Sequence, residues 1–432
     1  MKMEDMILVS VDDHLVEPPD MFEKVLSKKD LETAPRVIRE NGQDVWVYGD
    51  RRFTNIAMNA VVGRPPEEYG FEPTSFGGMR QGCWDVDERI KDMNANGILG
   101  SLCFGSFCAI DGAGFLRHAD KAEALTHLKA YNDWHIDHWC GAYPGRFIPV
   151  ALVPLWDVQE IVKEIERVAA KGCYSITFPD NPATKGLPSI HNPYWEPMWQ
   201  ACAANDIMIN CHIGTGNAPP HPSAESPIEV WTITFPIAIA IAAADWLHLD
   251  AMKRLPLKMA LTEGGIGWIP YLTERADFTN FRHGAWTNSS FGGKLPSEVF
   301  REHIYTCFVD DKFGLENLDK VGEDNVFYEC DYPHSDSVWP ESPEFLHRSV
   351  VEAGLTDLQI DKITHLNAMR AMNYSPFDHF KREDCTVGAL RRKAVEQGVD
   401  TSPIYVDGAA KPLADGEEKR VVTSADVMKL FA

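Results

Sequence analysis

Several features are missing from this chain, and each absence narrows what it can be. There is no CxxC pair; ten cysteines are scattered without regular spacing, a pattern that fits reduced thiols in a cytoplasmic protein and not a disulfide framework. There is no basic excess either. Lys and Arg number 41 against 64 Asp and Glu, a net charge of -23, which argues against nucleic acid as a partner and repels anions at long range. A carboxylate ligand then needs a local Arg or a metal to hold it. The longest apolar run, FPIAIAIAAADWL from Phe235, is too short and Ala-rich to span a bilayer and reads as a buried helix, so no membrane partner is expected. The start, MKMEDMILVSVDDH, lacks the basic region and small-residue cleavage site of a secretory signal. No internal repeat or low-complexity tract stands out.

What remains is the balance of a soluble globular protein, 44% apolar and 24% charged. Short apolar runs alternate with longer amphipathic stretches, the signature of repeated βα units. Strands are expected at 7–12, 98–105, 147–155, 173–179, 207–213, 257–263 and 325–331, with helical patterns such as 85–97, 121–140, 157–172 and 193–206 between them. Runs this apolar are buried on both faces, so the sheet is parallel. Polar residues gather at the C-terminal ends of several strands, which favours a distorted (β/α)8 barrel over a doubly wound sheet. Residues 1–380 are assigned to that barrel, with an insertion at about 35–84 over its mouth. Residues 381–432 form a charged, loop-rich arm suited to a subunit contact.

The strand ends carry the chemistry. Asp12 and His14 close the first strand, His212 the fifth, and Glu263 and Asp331 two later ones; His334 follows Asp331 by one turn. Carboxylate and imidazole together ligate Zn, Mn or Fe, and the Asp-x-His spacing puts both side chains of one strand end on the same side. Taken singly, each has a blander reading, since an Asp at a strand end often caps a helix and a lone His is usually a packed one. Repetition at strand ends outweighs those readings. Asp13 points away and caps the turn. His135 and His138, at helical spacing, are assigned to packing or surface. Arg51 and Arg52 are the expected anion clamp, with His221 in the loop GNAPPHPSAESP a further residue bordering the mouth.

The stretches SVDDHLVEPPDMF, ERIKDMNANGI, NPYWEPMWQACAANDIMINCHIG, EGGIGWIPYLTERAD and VFYECDYPHSDSVWP together resemble the amidohydrolase superfamily, specifically its amidohydrolase 2 branch of aminocarboxymuconate-semialdehyde and resorcylate-type decarboxylases. The resemblance implies a metal-bearing TIM barrel in which Asp12, His14, His212 and Asp331 are metal ligands, and family members are commonly oligomers, here of like chains or with related barrels. It also exposes a departure: in TEGG, Glu263 stands where a catalytic histidine is expected. The leading expectation is therefore hydrolysis of a small, carboxylate-bearing substrate by metal-activated water, with Glu263, Asp331 and His334 as catalytic residues. Six ligand-capable side chains exceed one ion's needs, so one or two ions are allowed for. A dinuclear Fe or Fe/Mn oxygenase, with Glu263 and His334 on a second metal, is the alternative. Non-oxidative decarboxylation and a purely structural subunit rank behind these.

Overall fold

The computed structural model describes residues 1–57, 59–70, 73–405 and 421–428. Among the described residues, eleven strands form two sheets. The larger has eight parallel strands: β1 (Leu8–Leu15), β5 (Ile98–Gly105), β6 (Phe147–Ile148), β7 (Ser175–Thr177), β8 (Met208–His212), β9 (Lys258–Thr262), β10 (Ile304–Phe308) and β11 (Val326–Tyr328). The smaller, antiparallel sheet consists of β2 (Arg36–Glu40), β3 (Gln43–Tyr48) and β4 (Arg51–Phe53), within the segment expected as an insertion. The order in the large sheet is β6-β5-β1-β11-β10-β9-β8-β7. Its two outer strands meet through the bridge Ala151–Ile176, with Ala151 N–H donating to Ser175 O and Thr177 N–H to Ala151 O, both at 3.0 Å. This is a distorted (β/α)8 barrel. Pro149 and Pro154 lack the N–H a continuous ladder needs, which is why the expected strand 147–155 shrinks to two residues and a bridge. One barrel strand, β10, was not anticipated.

Alternation along the strands builds two apolar layers. Val9, Val11, Leu102, Phe104, Met208, Ala260, Cys307 and Phe327 fill the barrel interior. Leu8, Cys103, Ile209, Cys211, Met259, Leu261 and Tyr328 face the surrounding helices. Those helices begin where Asp85, Asp120 and Asp157 accept hydrogen bonds from the backbone N–H groups two and three residues on, satisfying donors the first turn would leave unpaired.

The helix Ile228–Leu247 corrects one expectation. Ala238, Ile239, Ala242, Ala243, Trp246 and Leu247 are buried, but Ile233, Ile237 and Ile241 are exposed at a four-residue spacing. The run is apolar all round, so its sequence could not show that only one face packs. Among the described residues it is the one helix long and apolar enough in composition to cross a membrane. At the other end of the chain, Val387–Glu396 packs against Val86–Ala95, and Val387 N–H donates to Met6 O at 2.8 Å. Residues 421–428 lie beside 224–228, with Ile228 N–H donating to Val422 O at 3.0 Å. The stretch at 406–420 that suggested an arm lies outside the described residues.

Candidate metal centre

β1 delivers two of the candidate ligands through a shift of register. Ser10 pairs with Ser101 and Asp13 with Cys103, so β1 spends three residues where β5 spends two. This bulge reverses the alternation. Val9 and Val11 point inward before it; after it, Asp13 shares the outer side with Cys103, while His14 pairs with Phe104 on the inner side. Asp13 does not cap a turn. It is buried and accepts hydrogen bonds from Ser10 Oγ at 2.9 Å, Cys330 Sγ at 3.1 Å, Tyr332 N–H at 3.1 Å and Ser101 Oγ, tying β1 to its two neighbours.

His212 keeps the inward phase of Met208 at the end of β8. Glu263, directly after β9, and Asp331, three residues after β11, both adopt left-handed backbone (φ 59° and 49°), an arrangement that costs energy in a residue with a side chain and turns it back over the strand ends. Gly264 follows because a Cβ there would meet Ile239 Cγ2 at 2.3 Å. Asp331 N–H donates to Asp12 O at 3.0 Å, His14 N–H to Tyr332 O at 2.6 Å, and His334 N–H to Asp331 O at 2.8 Å, so the two loops are laced together beneath the site.

The six expected residues converge. His14 Nε2 lies 3.1 Å from His212 Nε2, 3.5 Å from Asp12 Oδ1 and 3.6 Å from Asp331 Oδ1. His212 Nε2 is 3.5 Å from Asp12 Oδ1 and 2.9 Å from Glu263 Oε2. His334 stacks on His14 with ring centres 3.9 Å apart. Ligand atoms of His14, Glu263, Asp331 and His334 lie within 4.8 Å of one another, as do those of Asp12, His14 and His212. His212 Nδ1–H donates to Ile213 O at 2.7 Å, which leaves Nε2 as the lone-pair nitrogen of the neutral ring, aimed at the cluster.

These residues fit a cation on two physical grounds. Both carboxylate oxygens of Asp12 and of Asp331, Nδ1 of His14 and Nε2 of His334 are buried without hydrogen-bond partners, and each such group costs about 1–3 kcal/mol if nothing meets it. Like charges are also crowded. Burial pushes the Asp12 carboxyl up to about 6 against the pull of His212. Burial, then Glu263 and Asp12, push Asp331 well above the carboxylate range. Burial opposes a charged His212, but Asp12 and Glu263 prevail and hold it well above the usual imidazole range; burial likewise opposes a charged Glu263, and His212 prevails there, holding it low. His334 is pushed by burial down to about 4 and His14 well below its usual range. A divalent ion converts this crowding into ligation.

Two further groups escaped the sequence reading. Glu329 is buried behind the cluster and accepts from Cys307 Sγ at 2.5 Å and Glu263 N–H at 3.2 Å; Asp12, Cys307 and Glu329 form a third set of ligand atoms within 4.8 Å. The signal was present in FYECD, where a second acid sits two residues before Asp331. Cys307 lies on the unanticipated β10.

A cavity of about 280 Å3 opens beside the cluster, lined by His212, Glu263 and His334 together with Asn55, Asn59, Asp111, Lys185, Thr215, Trp231 and Phe235. Arg51, Arg52 and His221 are not among its lining residues. Arg52 points outward from the small sheet and pairs with Glu40 at 2.5 Å. Arg51 opposes Tyr48 in that sheet; neighbours on a strand face opposite sides, so the two could not form one clamp. His221 is exposed, with Nδ1 3.4 Å from Pro219 O. His135 is buried against Cys103 O at 3.0 Å and His138 is exposed, as expected.

A parallel (β/α)8 barrel with imidazoles and carboxylates gathered at its C-terminal strand ends is the architecture of a metal-dependent enzyme. A family model described as Amidohydrolase matches residues 40–372, and the chain belongs to the amidohydrolase family. Solved structures share the fold. An amidohydrolase from Mycobacterium avium subsp. paratuberculosis K-10 superposes with a TM-score of 0.65 at 19% identity, covering 85% of this chain and 99% of that one. The IDCase of Metarhizium anisopliae gives 0.62 at 20%, covering 87% and 99%. A dihydroxybenzoic acid decarboxylase from Polaromonas sp. JS666, solved with bound manganese and the inhibitor 2-nitroresorcinol, gives 0.56 at 16%, covering 87% and 99%.

Proposed function

We propose that the protein is a metal-dependent hydrolase of a small organic substrate. Glu263 carries this reading, because it belongs to the candidate metal cluster, lines the cavity, and sits 2.9 Å from His212. Asp12, His14, His212 and Asp331 would hold a divalent ion, with Glu263 and His334 within reach. When bound, such an ion supplies Lewis acidity towards the scissile group and lowers the pKa of a water. Glu263 accepts the proton of the attacking water at a carboxylate oxygen and returns it to the leaving group. His334, whose buried Nε2 has no protein partner, offers the substrate a hydrogen bond.

Decarboxylation is the second reading, favoured by the likeness to a dihydroxybenzoic acid decarboxylase. Against it stands the charge of Glu263, which opposes a substrate carboxylate in the same cavity. The oxygenase reading gains nothing from the comparisons and is not carried forward. The deciding experiment presents manganese-loaded protein with panels of small amides, esters and aromatic acids. Hydrolysis that Glu263→Gln abolishes supports the proposal; release of carbon dioxide from acids with no hydrolysis refutes it.

A further inference from the structure

Among the described residues lining the cavity, Lys185 is the one Lys or Arg. It closes the short 3-10 turn Pro182–Lys185 after β7, started by Asn181, whose side chain accepts from Ala183 N–H at 3.2 Å. The loop after β5 brings Asp111 to face it. Asp111 is buried, its Oδ1 accepts from Ala113 N–H at 3.1 Å, and its Oδ2 lies 2.8 Å from Lys185 Nζ. Asp180, held by Thr215 and Asn217, bears on the same ammonium. The cation in the cavity is therefore matched by carboxylates before any substrate arrives.

The opposite wall is no more hospitable to an acid. Asp12 and Asp331, ionised as ligands must be, offset the two positive charges of one divalent ion, and Glu263 adds a further carboxylate on the cavity wall itself. Of the remaining polar lining groups, His212 and His334 belong to the metal cluster and Asn55, Asn59 and Thr215 are uncharged, while Trp231 and Phe235 pack against each other with ring centres 5.0 Å apart. We infer that the site selects uncharged substrates. Asp111 cancels the charge of Lys185 and leaves its ammonium as a hydrogen-bond donor to a neutral oxygen, so a flat, apolar-bodied amide or ester is admitted while the corresponding free acid is turned away. The assignment to an amide or ester rests on the hydrolytic reading above; the exclusion of the acid rests on the Asp111–Lys185 pairing and the acidic wall, whatever the reaction.

The test uses benzamide and benzoate, near-equal in shape and different in charge, titrated by saturation-transfer NMR into full-length, manganese-loaded wild type, Asp111→Asn and Asp111→Asn/Lys185→Gln. Asn keeps the acceptor for Ala113 N–H while releasing the Lys185 charge. Any direct contact of benzoate with manganese is common to all three proteins, so the ratio between variants isolates the pair. The wild type should favour benzamide. Asp111→Asn should shift the ratio towards benzoate by about tenfold or more, the scale of a hydrogen bond to a charged group, and the double variant should restore it. A wild type that binds benzoate at least as tightly as benzamide, or a folded Asp111→Asn with an unmoved ratio, overturns the inference. Manganese content is measured on the same samples. A chain that takes up none refutes the metal-dependent reading, and the ratios, recorded without metal, then judge the charge filter by the same criteria.

Discussion

Stripping the divalent ion from the purified protein should lower its melting temperature by about 4–5 °C. Asp12 and Asp331 each bury two carboxylate oxygens without a hydrogen-bond partner, and Glu263 and Glu329 crowd the same space. An ion present at about a thousandfold over its dissociation constant adds about 4 kcal/mol to the folded state. Unfolding entropy of about 2.1 cal/mol/K per residue, over 432 residues, is about 0.9 kcal/mol/K, which converts that gain into the stated shift. Differential scanning calorimetry of chelator-dialysed protein, before and after manganese is restored, measures it. Asp331→Asn sharpens the test through its sign. With metal it should be less stable than wild type, having lost a ligand. Without metal it should match or exceed wild type, because removing one buried carboxylate relieves repulsion among the others. Coincident melting curves with and without metal, or an equal loss in both states for Asp331→Asn, would refute the reasoning.

Other consequences can be checked separately. Glu263→Gln should retain metal by elemental analysis and lose turnover by about a hundred- to ten-thousandfold, the range of a lost general base. Glu17 is buried, accepts from Tyr131 Oη and Phe107 N–H at 2.8 Å each, and is pushed by burial up to about 7 from 4.5. Its folded form holds a proton that the unfolded chain gives up, so stability falls as pH rises from about 4.5 through 7, by up to about 3 kcal/mol; Glu17→Gln should shrink the difference in melting temperature between pH 5 and pH 8, and an unchanged difference counts against the assignment. Arg52→Ala breaks an exposed pair with Glu40 and should change stability by less than about 0.5 kcal/mol and substrate binding not at all.

The residues that converge were legible because each is a polar group ending an apolar strand, a placement that composition alone flags. Asp12, His14, His212, Glu263 and Asp331 meet that rule, His334 follows Asp331 by one turn, and all six lie together. Glu329 is hidden in sequence because 325–331 reads as one strand ending on Asp331, whereas β11 stops at Tyr328 and leaves Glu329 as the first residue beyond it. The anion clamp was misplaced for a different reason. Arg51 and Arg52 carry the right charge, but they follow the two-residue turn Gly49–Asp50 and pair back onto β3, so they face opposite sides of a small separate sheet and not the barrel mouth. Lys185 and Asp111 come from loops 74 residues apart, and nothing in either loop announces the other. The same limit applies to the helix Ile228–Leu247, whose uniform apolarity is silent about which face packs.

The extra residue in β1 gives the first strand a reading frame. Upstream of the bulge, odd-numbered side chains fill the interior; downstream, even-numbered His14 does. Substituting one residue here changes one side chain. Deleting Asp12 removes the extra residue and the bulge with it: regular alternation then keeps Val9 and Val11 inward, Asp13 on the helix side and His14 in the mouth, and the site loses only the Asp12 carboxylate. The barrel's core and its chemistry are thus encoded in two frames of a single eight-residue strand, so a one-residue deletion could empty the site of a ligand yet leave a folded protein.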